Sequence, residues 1–216
     1  MAKTPVTGCF STPLDAILGT RAKIAVLRVL SGLASPLGMR EIARRSGMAY
    51  RSAEVAIKEL TQLGILERID GSRERLLRIS ATHRLAGALG ALLRAEEDYR
   101  PALRAELRAL AERAKREGVV EVAIVGLAAR QEERIGDPLE LLILAQDEPT
   151  ANRWVKTFGL AAQELERRFG ARLSVTGYSL ERARQLWLSR TVTAERSIAT
   201  AIPLIGGEVA ELLSAR

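Results

Sequence analysis

The stretch from Met39 to Arg68, "MREIARRSGMAYRSAEVAIKELTQLGILER", decides the fold of the first third of the chain. It opens with a short helical pattern that turns Ile42 and Ala43 inward. Ser46-Gly47 then supplies a tight turn. A second helical pattern starts near Ala49, buries Ala53, Ile57 and Leu60 on one face, and stops at Gly64. Two short helices joined by a tight glycine turn make a helix-turn-helix. The second helix presents Tyr50, Arg51, Ser52, Glu54, Val55 and Lys58 outward, a set that can reach groove edges and phosphates. Ala49 is a poor start for it, because alanine has no side-chain acceptor for the first-turn amides.

Working outward, "STPLDAILGTRAKIAVLRVLSGLASPLG" (Ser11 to Gly38) precedes this unit. Thr12, Pro13 and Asp15 suit a helix start, Gly19 interrupts, and Thr20 can cap a second helix. In that helix Ile24, Leu27 and Leu30 share a face, with Val26 beside them. Ser35-Pro36-Leu37-Gly38 reads as its terminating loop. Downstream, Ile65, Leu66 and Ile69 read as one strand and Leu76, Leu77 and Ile79 as its partner, with Asp70-Gly71 as the hairpin turn. Arg73 and Arg75 lie at the tip. A basic hairpin after a helix-turn-helix is a wing. Residues 12–80 thus resemble the winged helix-turn-helix transcriptional regulators of bacteria and archaea, which implies binding to double-stranded DNA. The expected contacts are Tyr50, Arg51, Ser52, Glu54 and Lys58 from the helix, and Arg73 and Arg75 from the wing.

Charge points the same way. The chain carries a net +7 over 216 residues. Residues 1–80 hold 13 Lys and Arg against 7 Asp and Glu, whereas residues 119–216 hold 12 against 13. A basic segment beside a near-neutral one suggests a polyanion-binding module joined to something else. No apolar run reaches the roughly 18 residues of a membrane span, and the first residues lack the basic-then-apolar order of a secretory signal. One cysteine, Cys9, excludes an internal disulfide and fits a cytoplasmic protein. With one histidine, His83, the chain cannot build the usual Cys/His zinc site. His83 is expected as a cap or surface residue near a helix start.

"HRLAGALGALLRAEEDYRPALRAELRALAERAKREG" follows, an Ala/Leu/Arg/Glu segment at helical period. Leu85, Leu89, Leu92 and Leu93 line one face and Leu103, Leu107 and Leu110 another. Pro101 either kinks the helix or opens a new one capped by Asp98. The segment either packs on its own domains or forms the interface of a homodimer.

In the last half, "VAIVGLAARQEERIGDPLELLIL" (Val122 to Leu144) runs strand, glycine turn, polar segment, strand. An amphipathic helix follows with Trp154, Phe158, Ala161, Leu165 and Phe169 inward and Gly170 as its stop. "ARLSVTGYS" is a third strand, and Ser179 can cap a further helix. This order resembles the minimal nucleotidyltransferases of the polymerase-beta-like superfamily, over about residues 119–205. The linker's "RLAGALGALLRAEE" is also familiar in proteins that fuse the two domains. The resemblance implies a Gly-Ser turn holding a triphosphate and three carboxylates holding Mg²⁺, two of them in an Asp-x-Asp. Here Gly126 matches the glycine, Leu127 replaces the serine, and Pro138 and Glu140 occupy the Asp-x-Asp positions. The third strand has no acid. Asp137 adjoins the lost position but faces the other way, since neighbours on a strand alternate sides.

The sequence therefore predicts an α+β protein. A winged helix-turn-helix domain spans 1–82, a helical connector 83–118, and a nucleotidyltransferase-like α/β sheet domain 119–216. The expected function is a DNA-binding transcriptional regulator whose last domain is catalytically degenerate, with no catalytic residue, bound metal or cofactor. That domain would serve sensing, partner binding or dimerisation. The expected partners are double-stranded DNA, a second copy of the chain, and a small ligand or partner protein, with no membrane. Two alternatives are an active nucleotidyltransferase targeted by its winged helix and an antitoxin-like half of a toxin pair.

Overall fold

The computed structural model describes residues 17–33, 35–69, 76–134, 136–188 and 198–214. The chain divides into two compact units, Met1–Asp98 and Tyr99–Arg216. The division falls inside the segment read from sequence as the connector.

In the first unit, α1 (Arg21–Ser31) starts where expected: the Thr20 hydroxyl accepts the Lys23 amide at 3.2 Å. Its last turn is followed by β1 (Leu37–Gly38), then α2 (Met39–Ser46), α3 (Tyr50–Gln62), β2 (Leu66–Ile69) and β3 (Leu76–Ile79). Leu37 and Gly38, read from sequence as loop, instead pair antiparallel with Leu77 and Leu76. The three strands form one sheet in the order β1-β3-β2. Helix, strand, two helices and a hairpin in that order, with the first strand on the hairpin's inner edge, is the winged helix-turn-helix arrangement. Gly47 turns α2 into α3 at φ 66°, a left-handed conformation that a Cβ resists.

The core of this unit is aliphatic. Val26, Leu27 and Leu30 of α1 meet Ile42 of α2, Ile57 and Leu60 of α3, and Leu66 and Leu77 of the hairpin. Ile24, expected on the inner face, is only half-buried. The position beside it holds a surprise. Lys23 is 8% exposed and reaches Glu59 of α3 at 2.6 Å, so an ion pair joins the first and third helices at the edge of an apolar core. His83 sits where the sequence placed it, its Nδ1 accepting the Leu85 amide at 3.2 Å just ahead of the next helix.

That helix, α4 (Ala86–Lys115), is continuous, and Pro101 lies inside it. Asp98 therefore does not open a new helix. Leu89 and Leu93 join the core of the first unit. Leu92, grouped with them by period, is 55% exposed. Leu107, Ala111 and Ala114 join the core of the second unit.

The second unit continues with β4 (Val119–Val125), the one-turn helix α5 (Gly126–Ala129), β5 (Leu139–Ala145) and α6 (Glu148–Phe169). β6 (Leu173–Ser179), α7 (Leu180–Leu188), β7 (Ile202–Ile205) and α8 (Val209–Ser214) complete it. Asp147 caps α6, accepting the Thr150 amide at 2.7 Å, and Ser179 caps α7, accepting the Arg182 amide at 3.2 Å. The sheet runs β6-β5-β4-β7. β5 pairs antiparallel with β4 and parallel with β6, while β7, not foreseen from sequence, adds an antiparallel edge beside β4. Each sheet face has its own core. On one, Val122, Leu141 and Ile143 meet Leu107 of α4 and Trp154 and Phe158 of α6. On the other, Ala123 and Leu144 meet Ala183 of α7 and Val209 and Leu213 of α8. No helix among the described residues is long and apolar enough to cross a membrane.

Candidate functional site

Two places in the structure bear on function, one in each unit. The first is the outer face of α3. Ala53, Ala56, Ile57 and Leu60 take the inner side, and helical period leaves the other side to solvent. Tyr50, Arg51, Ser52, Glu54, Val55 and Lys58 are all exposed, as the sequence pattern requires. Ala49 precedes the helix with no side-chain hydrogen bond to its first turn. The first-turn amides therefore keep donors open toward an approaching anion.

The state of these side chains matters as much as their placement. Among the described residues, Arg51, Glu54 and Lys58 form no ion pair, although Glu54 and Lys58 are four apart on one helix. By contrast, two arginines of α2 share one carboxylate. Glu41 accepts from Arg44 Nη2 at 2.6 Å and from Arg45 Nε at 2.6 Å. The two hydrogen bonds pull the Glu41 carboxyl down to about 2. On the hairpin, Arg78 is paired with Glu67 at 2.5 Å. The open cations of this unit thus include Arg51 and Lys58, with Arg40 on α2 and Arg68 on β2 also exposed and outside any ion pair among the described residues. The sequence reading did not single out Arg40 or Arg68. Only the pairing of the neighbouring arginines sets them apart. The Tyr50 hydroxyl contacts Met39 Sδ at 3.3 Å, which turns the ring back toward α2. Arg73 and Arg75, and the Asp70-Gly71 turn, lie outside the described residues, as do Thr12, Pro13, Asp15 and Cys9.

The second place is the turn between β4 and α5. Gly126 has φ 71° and is buried. Glu140 stands beside it, because Val125 pairs with Glu140 across the sheet. A Cβ on Gly126 would come within 2.6 Å of the Glu140 carboxyl carbon. Backbone conformation and close approach both demand glycine here. The structure therefore brings together Gly126 and Glu140, two of the four positions aligned by sequence. Leu127 is half-buried, and its carbonyl accepts the amides of Arg130 and Glu132 at 3.1 and 3.0 Å. Pro138 precedes β5. Asp137 is committed to its own turn, accepting the Arg134 amide at 2.8 Å. Opposite Glu140 on the parallel neighbour β6 stands Ser174. Among the described residues no three His, Cys, Asp or Glu side chains converge to hold a metal.

Sequence reasoning missed one charged residue of the second unit altogether. Glu121 is fully buried. Its Oε2 accepts the Gly207 amide at 2.8 Å, and among the described residues Oε1 has no partner. Burial pushes its carboxyl up to about 7, against the opposing pull of the Gly207 and Val122 amides. The signal was present as a lone acid in an otherwise apolar run, "VVEVAIV".

No protein-family model matches the chain, and none of the curated proteins does. Among solved structures, the chain is similar to the homodimeric winged helix-turn-helix DNA-binding domain of a possible ArsR-family transcriptional regulator from Mycobacterium bovis. The two are 17% identical, with 45% of this chain and 90% of that one covered and a TM-score of 0.33. The arrangement of the first unit rests on its own element order, not on that likeness.

Proposed function

We propose that the protein is a DNA-binding transcriptional regulator. Its first unit reads duplex DNA with α3. The observation that carries this reading is the outer face of α3, where Arg51 and Lys58 are exposed and form no ion pair among the described residues. Placed in a major groove, Arg51 and Ser52 would contact base edges, and Lys58 with the wing arginines would contact phosphates. The net charge of the first 80 residues supports the same assignment. The two-unit chain acts as a homodimer, the usual arrangement for reading a twofold site. Light scattering at tens of micromolar protein would return a monomer if that is wrong.

The second unit, on this reading, is a nucleotidyltransferase-like scaffold without the chemistry. Supporting it are the Gly126 turn and the Glu140 register, together with Leu127 where a hydroxyl would meet phosphate and Pro138 in place of a carboxylate. Phosphoryl transfer needs carboxylates converging on Mg²⁺. The unit serves sensing or docking instead. Random-site selection on the purified full chain tests the regulator reading: enrichment of a duplex motif is the expected result, and failure to enrich any motif overturns it. Incubation with labelled nucleoside triphosphates and Mg²⁺ or Mn²⁺ tests the second part. Turnover abolished by Glu140→Ala would restore an enzyme.

A further inference from the structure

A cavity of about 380 Å³ opens in the second unit, within the range of small-molecule pockets. It lies against the sheet face that Leu139 presents, the face opposite Glu140, since adjacent strand residues point to opposite sides. Its floor is aliphatic, built by Leu103 and Leu107 of α4, Ile124 of β4, Leu139 of β5 and Ile202 of β7. The rim carries charge, and the charges are not equivalent. Arg100 is paired with Glu133 at 2.6 Å. Asp137 already holds the Arg134 amide. Arg104 has one partner among the described residues, the Pro203 carbonyl at 3.2 Å, and no carboxylate. A carbonyl leaves the guanidinium charge uncompensated and most of its five donors open. An apolar floor beside one uncompensated guanidinium calls for a ligand with a hydrocarbon body and one anionic end.

We propose that this cavity binds a small apolar monocarboxylate, an aliphatic or aryl acid, with its hydrocarbon against Leu107, Ile124 and Leu139 and its carboxylate on Arg104. The planar guanidinium fork matches a carboxylate. A multiply charged phosphate is disfavoured, because Glu133 and Asp137 share the rim and would repel the extra charge. The cavity borders the Gly126 turn through Ala128 and Pro138, on the sheet face opposite Glu140. Its occupancy is read without DNA, so it stands or falls independently of α3.

Titration calorimetry on the full chain with hexanoate and 3-phenylpropionate, beside 3-phenylpropanol and 3-phenylpropylamine, tests it. The expected result is saturable binding of both acids, with the alcohol about tenfold weaker and the amine weaker still. Arg104→Gln, at an exposed position, is expected to bring the acids down to the level of the alcohol. Ala128→Leu, which narrows the cavity, is expected to weaken acids and alcohol together. Equal affinity for acid and alcohol, acid binding unchanged in Arg104→Gln, or no saturable binding of either acid would overturn the proposal.

Discussion

The face of α3 and the turn at Gly126 are both places that the sequence pattern singles out, and they differ in what their side chains offer. On α3, scaffold and outward chemistry are present together. Ala53, Ile57 and Leu60 seat the helix, and the opposite side carries Ser52 and the cations Arg51 and Lys58, which form no ion pair among the described residues. At Gly126 a positive φ and a carboxyl packed against the glycine constrain the backbone, and the neighbouring positions hold Leu127 and Pro138. A constrained backbone turn does not by itself assign an activity. The units also place charge differently. The first leaves cations at the surface, and the second buries an acid, Glu121, at its centre.

This contrast can be broken experimentally, and the largest effect is expected at the constrained turn. Gly126→Ala must place a Cβ into the Glu140 carboxyl while holding a left-handed φ. It is expected to destabilise the second unit by about 2–4 kcal/mol, the sum of backbone strain and a steric conflict. Both tryptophans, Trp154 and Trp187, lie in this unit, so their fluorescence during urea unfolding reports on it. Combining Gly126→Ala with Glu140→Ala should recover the steric share only. A Gly126→Ala protein as stable as the parent would show that the turn is not constrained, and the comparison with α3 would lose its basis.

The buried acid gives the next effect. The carboxyl of Glu121 is raised from its ordinary 4.5 to about 7 by burial. A carboxyl raised on folding favours the native state fully below about pH 4.5, and that contribution is lost as pH rises through 7. The loss is about 3 kcal/mol, which follows from the rise from 4.5 to about 7. Glu121→Gln removes the titration. Unfolding followed by tryptophan fluorescence should show the variant more stable than the parent at pH 8 and close to it at pH 4.5. An equal offset at both pH values would mean that the carboxyl is already ionised in the folded protein.

On the α3 side the single-residue effects are of similar or smaller size. Arg51→Ala is expected to weaken binding to a selected duplex by roughly 1–3 kcal/mol and to relax preference at one base position, if the arginine reads a base bidentately. A uniform loss across all sequences would reassign it to phosphate. The smallest effect concerns the uncapped start of α3. Ala49→Ser supplies the missing acceptor and should stabilise the first unit by about 1 kcal/mol, read by amide exchange in that unit. No gain would mean that the first-turn amides are already satisfied.

How far the fold could be read from the sequence also differs between the units. The helices of the first unit announce themselves through three- and four-residue apolar spacing, and the Thr20 cap and the Gly47 turn were legible as local signals. Three strands of the second sheet were legible as apolar runs. What was missed depends on contacts distant in sequence. Leu37–Gly38 is too short to show a period and becomes a strand only because Leu76 and Leu77 pair with it. Ile202–Ile205 carries Pro203, which argues against a central strand and suits the edge position it takes. The burial of Lys23 follows from Glu59 on another helix, and that of Glu121 from Gly207 at the far end of the chain. Leu92 was misplaced because helical period fixes a face only to within a residue. At the candidate sites, exposure of the α3 residues was legible from period alone. Which arginines remain unpaired was not, since it depends on Glu41 and Glu67.

The most direct measurement of the central claim is fluorescence anisotropy of a selected duplex titrated with the full chain across a salt series. The parent is compared with a variant in which Arg51, Lys58, Arg73 and Arg75 are all alanine. Binding by the parent should fall steeply with salt. The variant should bind more weakly by about two orders of magnitude or more, with a slope of log affinity against log salt shallower by about 1 for each phosphate contact removed. Unchanged affinity and slope in the folded variant would contradict the account, because the first unit would then bind DNA by some other face or not at all.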